Sequence, residues 1–150
     1  MQAMQVAKAA VAHGWLRFAG AACAACLFAT GCGGQSDADR IQQTVKTYLS
    51  ALADGDGAKA CDQLTGDQTR AVVDHAITSL PELQASGCAD ALTKLSGSLG
   101  ADEKQTLRDA KVTQVQVSGD SATAEVVGGS KTAELQKSHG RSLISGGLAF

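Results

Sequence analysis

The apolar residues of this 150-residue chain change their spacing once, near residue 111, and that change restricts the folds available to it. Before this point apolar side chains recur every three or four residues, as on one face of a helix; after it they alternate with polar residues, as in a strand. The helical positions are Ile41, Val45, Tyr48, Leu49 and Leu52, then Ala71, Val72, His75 and Ala76, then Cys88, Leu92 and Leu95; the alternating ones are Thr113, Val115, Val117, Ala122, Ala124 and Val126. The chain is therefore expected to form helices first and a sheet second.

Residues that favour helix ends divide the first part of the chain into five helices. Side-chain oxygens that accept a free backbone N–H begin a helix, whereas glycine or proline ends one. These residues are Ser36 or Asp37, Asp56, Thr65 and Asp102 at the starts, and Gly55 and Pro81 at the ends. The first helix is predicted over 37–53 and a later one over 88–99.

Three short turns divide the second part into four strands. Gly119-Asp120 suits a two-residue hairpin turn, and "GGS" at 128–130 and "SHG" at 138–140 provide two more. Consecutive strands joined this way are expected to pair as an antiparallel meander. The predicted fold class is α+β, with N-terminal helices packed on one face of an antiparallel sheet of about four strands.

The first 31 residues have the composition of a bacterial export signal. Lys8 and Arg17 precede an uncharged apolar run over 18–29, shorter than the roughly 20 residues that span a bilayer. The run ends in Phe-Ala-Thr-Gly-Cys, which resembles a bacterial lipobox. The resemblance implies a diacylglyceryl group on the sulfur of Cys32 and removal of residues 1–31. The alternative is an ordinary signal peptide, cut elsewhere, with Cys32 unmodified.

Cys23 and Cys26 form a C-x-x-C pair within this predicted leader. A redox pair would begin a helix of a folded domain, so we interpret the spacing as a coincidence in an Ala/Cys-rich run. Residues 32–38, rich in glycine and small polar residues, are predicted to be the lipidated cysteine and a flexible tether. Residues 39–150 are predicted to form one small domain.

The predicted mature chain is acidic and poor in aromatic residues. Without Lys8 and Arg17, 11 basic residues stand against 15 acidic ones, a net charge of −4. Tyr48 and Phe150 are its aromatic residues, and no basic stretch is interleaved with aromatics, which argues against nucleic acid as a partner. Attachment to the membrane is therefore expected to depend on the lipid at Cys32.

Cys61 and Cys88 are the two cysteines that follow Cys32. An even pair in an exported, oxidising compartment predicts a disulfide, which would stabilise a small domain whose core contains few aromatics. Two free buried thiols are the alternative. No histidine or third cysteine stands at zinc-ligand spacing from either residue, so no metal is predicted.

The order of elements and several short motifs resemble a known class of fold. "VKTYLSALADGDGAKACDQLT" over 45–65 is similar to the opening of bacterial proteins of the nuclear-transport-factor-2-like superfamily, a cone-shaped fold shared with ketosteroid isomerases. "ACDQLT" and "GCADAL" resemble the two cysteine sites of its exported, lipid-anchored members. "SHGRSLISGG" resembles its last hairpin, with Ser142 where tryptophan is usual. The resemblance implies a cone-like domain with a pocket between the first helix and a curved sheet.

Tyr48 and His75 are the candidate residues for such a pocket. For each, a structural interpretation is the alternative: Tyr48 as a core aromatic and His75 as a semi-buried packing residue. An isomerase would need a carboxylate base and a proton donor. Asp74 and His75 are adjacent on a helix and point in different directions, so they cannot serve as that pair. The other acidic residues mostly stand at predicted caps and turns.

Two functions follow from these observations. The preferred hypothesis is a non-enzymatic module without cofactor or metal, exported and anchored by lipid to the outer face of the cell membrane. It would bind a small apolar ligand or another envelope protein. The alternative is an isomerase or dehydratase of the ketosteroid-isomerase-like class. The fold itself does not decide between them, because a shared fold does not transfer function.

Overall fold

A computed structural model of the chain describes residues 35–128 and 131–148. Within these ranges the elements follow the predicted order of helices and then strands. They are α1 (Asp37–Asp54), α2 (Gly57–Cys61), α3 (Gly66–Ser79), a 3-10 turn (Pro81–Leu83), α4 (Cys88–Ser98), α5 (Ala101–Asp109), β1 (Lys111–Ser118), β2 (Ser121–Val127), β3 (Lys131–Ser138) and β4 (Arg141–Gly146). The helices pack against a four-stranded antiparallel sheet of order β1-β2-β3-β4, which confirms the α+β prediction.

The predicted leader lies outside the described residues, and so do Cys23, Cys26 and the lipidation candidate Cys32. Two residues of the predicted second turn, at 129–130, lie outside them too. Among the helices that the structure describes, none is long and apolar enough to cross a bilayer.

Reciprocal hydrogen bonds at its start fix the position of α1. The Ser36 hydroxyl accepts the N–H of Asp39 at 3.1 Å, and the Asp39 carboxylate accepts the N–H of Ser36 at 3.3 Å. This capping box satisfies two otherwise free donors, so the helix begins at Asp37, within the segment predicted as tether. Gly55 ends α1 in the left-handed conformation, with φ of 79°, as predicted.

Of the three later helix starts that the sequence predicted, two have the expected geometry and one does not. The side chains of Asp56 and Thr65 accept backbone N–H groups at the starts of α2 and α3. Asp102, by contrast, does not begin α5. Gly100 is the N-cap, and the Glu103 carboxylate accepts its N–H at 2.7 Å. The capping interaction therefore comes from an acidic side chain three residues into the helix.

The short helix α2 lies directly against α4. The N–H of Gly57 donates to the Thr93 hydroxyl at 3.3 Å, and a Cβ added at Gly57 would overlap the Ala89 carbonyl oxygen. At the other end of α2, the sulfurs of Cys61 and Cys88 are paired as a disulfide, with their Cα atoms 6.1 Å apart. This Cα separation is ordinary for disulfides, and oxidation of the pair in the exported protein stays a prediction.

The alternating pattern of β2 is confirmed, whereas that of β1 is interrupted by a bulge. Ala122, Ala124 and Val126 are all buried on one face of the sheet. In β1, Thr113 pairs with the exposed Glu125, whereas Val117 pairs with Ala122, whose side chain is buried. Thr113 and Val117 therefore lie on opposite faces of the sheet. The prediction that Thr113, Val115 and Val117 share one face is thus wrong.

One additional residue in β1 causes this difference. The register shifts between Thr113 and Gln116, and Gln114 has a φ of 49°. An extra residue reverses the alternation beyond it, so Val112 takes the buried position that the pattern assigned to Thr113.

The two outer strands of the sheet have different surroundings. Beside β4, the N–H of Ile144 donates to the Gln63 carbonyl at 2.8 Å, and the N–H of Thr65 donates to the Ile144 carbonyl at 2.9 Å. The segment between α2 and α3 therefore covers part of that edge. Strand β1 forms the opposite edge, where the bulge lies.

Candidate functional site

A cavity of about 420 Å³ lies between α1, the ends of α4 and α5, and the inner side of the sheet. Its wall is mostly apolar and is formed largely by leucines from helices and from the chain after β4. These leucines are Leu49, Leu52, Leu95, Leu99, Leu107 and Leu148. We call this space the apolar cavity. It lies between the first helix and the sheet.

Periodicity along α1 positions the inner wall of the cavity. Tyr48, Leu49 and Leu52 belong to the face that α1 buries, since residues three and four apart share one side of a helix. Helix α5 contributes Thr106 and Leu107 from the other side. No residue of α5 is fully buried, so α5 is the least firmly packed helical wall of the cavity.

Tyr48 is the aromatic residue in the lining of this apolar cavity. The residue is 2% exposed, and its hydroxyl makes no hydrogen bond to a described residue. The hydroxyl keeps some accessible surface, because Ser96 Oγ is the fully buried side-chain atom without a partner among the described residues. Burial raises the pKa of the Tyr48 hydroxyl, because the charged phenolate would lose its solvation. Tyr48 therefore remains protonated and is able to donate a hydrogen bond to a ligand.

Glu103, Thr106 and Lys131 add polar groups where the apolar cavity meets solvent, and all three are exposed. The Glu103 carboxylate already accepts the N–H of Gly100 at the start of α5. The same carboxylate therefore caps a helix and lines the cavity that contains Tyr48.

His75 does not reach the apolar cavity. It is exposed on α3, whereas the sequence predicted a semi-buried residue, and it borders a crevice of about 10 Å³ between α3 and α4. The structure thus separates the two predicted pocket residues. The reason is that the apolar positions Val72 and Ala76 turn towards the core, which leaves the neighbouring His75 at the rim.

A second and larger space, of about 660 Å³, lies on the other side of α1, where this helix faces α5 and the start of β1. Four basic residues line it: Lys46, Lys59, Arg108 and Lys111. We call it the cationic groove. It shares Leu49, Leu107 and Ala110 with the apolar cavity, so the two spaces adjoin.

Sequence reasoning missed the cationic groove because its basic residues are far apart in the chain and belong to four elements or their ends. For Glu103 a local signal existed, since an acidic residue three positions after Gly100 is a cap pattern. Among the described residues, no group of three or more histidine, cysteine or acidic side chains is placed to hold a metal ion.

Comparison with known proteins returned no match to any protein-family model, curated protein or solved structure. The similarity to the nuclear-transport-factor-2-like superfamily therefore rests on the residues quoted above.

Proposed function

We propose that this chain is a lipid-anchored module of the cell envelope that binds a small apolar ligand in the apolar cavity, without catalysing a reaction. The observation that carries the proposal is the position of Tyr48 in a cavity walled mostly by leucines, with a hydroxyl that makes no hydrogen bond to a described residue. A hydroxyl with a free proton in a mostly apolar wall favours a ligand that carries one hydrogen-bond acceptor.

The size and lining of the cavity fit such a ligand. Its volume of about 420 Å³ falls within the range of roughly 300–1,000 Å³ typical of small-molecule sites. Burial of apolar ligand surface against these aliphatic walls would contribute roughly 25 cal/mol per Å² to the free energy of binding. The Tyr48 hydroxyl would orient the ligand through its acceptor, in the manner of sites that combine apolar walls with few polar groups.

An isomerase is the second candidate, because Tyr48 and Glu103 line the same cavity. Such an enzyme would use Glu103 as base and Tyr48 as hydrogen-bond donor to the developing negative charge. The exposed Glu103 carboxylate is, however, hydrogen-bonded to Gly100 at a helix start, which gives it a structural role. We therefore prefer the binding module.

Ligand binding is tested with Nile red, a neutral apolar dye whose carbonyl accepts hydrogen bonds. We expect the wild-type chain to enhance its fluorescence and Leu99→Trp to reduce the enhancement, because the larger ring takes up part of the apolar cavity. Tyr48→Phe is expected to weaken binding about two- to tenfold, the loss of one net hydrogen bond. Native mass spectrometry of the chain purified from membranes would then identify the natural ligand.

The matched control is Ile77→Trp, which adds similar volume at an exposed site on α3 (56% exposed). It should bind the dye like wild type, with circular dichroism reporting that both tryptophan variants fold. Equal dye binding by folded Leu99→Trp and Ile77→Trp would exclude the apolar cavity as the site. Turnover of a ketosteroid substrate that both Tyr48→Phe and Glu103→Gln abolish would establish the enzyme instead.

Anchoring is tested at Cys32. Cys32→Ser is expected to prevent acylation and cleavage, so that mass spectrometry finds an uncut chain without lipid. Each buried lipid methylene contributes about 0.8 kcal/mol to membrane binding, so that two or more acyl chains hold a protein firmly. Cys32 unmodified in the wild-type chain isolated from its own cells would contradict the anchor, whatever the result with Nile red.

A further inference from the structure

We propose that the cationic groove is a second binding site, which takes the phosphate group of a small organic phosphate. The groove is lined by four cations, and no carboxylate lines it among the described residues. It lies in a chain whose predicted mature part has 15 acidic residues against 11 basic ones. A concentration of positive charge within an acidic chain requires its own explanation, and an anionic ligand provides one.

Three of the four cations are not engaged by the protein. The ammonium groups of Lys46, Lys59 and Lys111 make no ion pair or hydrogen bond with any described residue. Most of the other basic side chains contact an acidic side chain or a carbonyl, as Arg70 and Lys94 do with Asp67 and Asp90. Three lysines without a partner among the described residues therefore line one groove, whereas Lys104, which also has none, lies outside it.

Arg108 is held in place at the groove by the protein itself. Its Nε and Nη2 donate to the Asp54 carboxylate at 3.1 and 3.0 Å, and Nη2 also donates to the Ala53 carbonyl at 3.3 Å. Its Nη1 has no partner among the described residues and remains available to a ligand. An arginine fixed in this way loses less side-chain freedom when it binds an anion.

Neutral donors and an apolar floor complete the site. Thr47 accepts a hydrogen bond from the Gln43 amide at 3.1 Å, which leaves the hydroxyl proton of Thr47 for a ligand. Thr113 adds a second hydroxyl to the lining, while the buried residues Leu49 and Val112 form apolar wall. The volume of about 660 Å³ exceeds what a lone phosphate ion needs, so an organic portion would contact the apolar wall.

Phosphate is the anion that suits this set of donors best. A phosphate ester carries up to two negative charges and has several acceptor oxygens, whereas a single carboxylate would leave most of the cations without a partner. The ester could be a free metabolite-sized molecule or a phospholipid headgroup, since both present the same group. Neither possibility requires the apolar cavity to be occupied, so this inference stands apart from the proposed function.

The test compares two triple variants with the same change in net charge. The groove variant is Lys46→Gln with Lys59→Gln and Lys111→Gln; the control is Arg70→Gln with Lys104→Gln and Lys137→Gln, outside the groove. Calorimetric titration with sn-glycerol 3-phosphate, using the full chain in neutral detergent, should show binding by wild type and control. We expect about tenfold weaker binding by the groove variant, and weaker binding by wild type as salt rises.

A vesicle arm identifies the source of the phosphate. Binding to vesicles of phosphatidylcholine is compared with binding to vesicles that also contain phosphatidylglycerol, for wild type and both triple variants. An anchor or leader is the same in all three chains, so it does not contribute to the differences between them. A preference for phosphatidylglycerol that the groove variant loses assigns a headgroup, whereas tight binding of glycerol phosphate without that preference assigns a free ester. Equal weakening in both triple variants, citrate binding as tight as the phosphate, or no binding in either arm would overturn the proposal.

Discussion

Replacing both Cys61 and Cys88 with serine is expected to lower the free energy of unfolding by about 2–5 kcal/mol. The bond connects α2 to the first residue of α4 across a sequence separation of 27 residues. Without it the unfolded chain gains freedom, and α2, a helix of 5 residues, keeps only its cap, its packing and the hydrogen bond from Gly57 to Thr93 on α4. Urea denaturation followed by circular dichroism measures the loss. It would be a large fraction of a small domain's stability.

Reduction provides an independent check on the same bond. Dithiothreitol should shift the wild-type urea midpoint towards that of the double serine variant and leave the variant unchanged. Thiol labelling of the unfolded, unreduced wild-type chain at Cys61 or Cys88 would show that the pair is not oxidised. That outcome would support the alternative of two free thiols. The double serine variant would then lose only the packing of the two sulfur atoms.

Gly57→Ala is expected to cost about 3 kcal/mol, the upper part of the range for overpacked sites. The new methyl group would overlap the Ala89 carbonyl and lie 2.7 Å from the backbone nitrogen of Thr93, and neither backbone atom can rotate away. Helix α2 would have to move from α4, which also weakens the hydrogen bond from Gly57 to the Thr93 hydroxyl. Thermal and urea unfolding both report the change.

Gly97→Ala is the matched control, because it makes the same substitution within α4. A Cβ there has nothing within 4 Å, so alanine should leave stability unchanged or raise it by up to about 1 kcal/mol through its better helix propensity. If Gly57→Ala proved as stable as Gly97→Ala, the close approach of α2 to α4 would be refuted. The two variants thus separate packing from propensity.

Local patterns predicted the elements well where the determining interaction is local. The caps at Asp56 and Thr65 and the turn of Gly55 each depend on residues within a few positions, and the turn at Gly119-Asp120 joins strands that pair as expected. Helix α5 shows the limit of such reasoning. Asp102 and Glu103 are both acidic, and which of them satisfies a free N–H depends on where the backbone enters the helix.

The remaining features arise from contacts between distant parts of the chain. Nothing in the alternation of β1 reveals the bulge at Gln114, because the extra residue is defined only by its partner strand. The position of Tyr48 in α1 was enough to make it a candidate pocket residue. Glu103 and the leucines on the other side of the cavity belong to α4, α5 and the chain after β4, so no local pattern connects them with Tyr48. His75 does not line the cavity, although it was a candidate. A helical period identifies the centre of the buried face of a helix more reliably than the residues at the border of that face.

The unequal edges of the sheet bear on how copies of this chain behave when crowded. An exposed edge strand invites another chain to add to it, which is a route to aggregation. At β4 the hydrogen bonds of Ile144 to Gln63 and Thr65 already occupy part of that edge. At β1 the bulge around Gln114 breaks the regular row of donors and acceptors, and Lys111 places a charge at the strand's start. Pairing between the sheets of two copies is therefore opposed at both edges. At β4 some of the hydrogen-bonding groups are already used, and at β1 the bulge makes their spacing irregular.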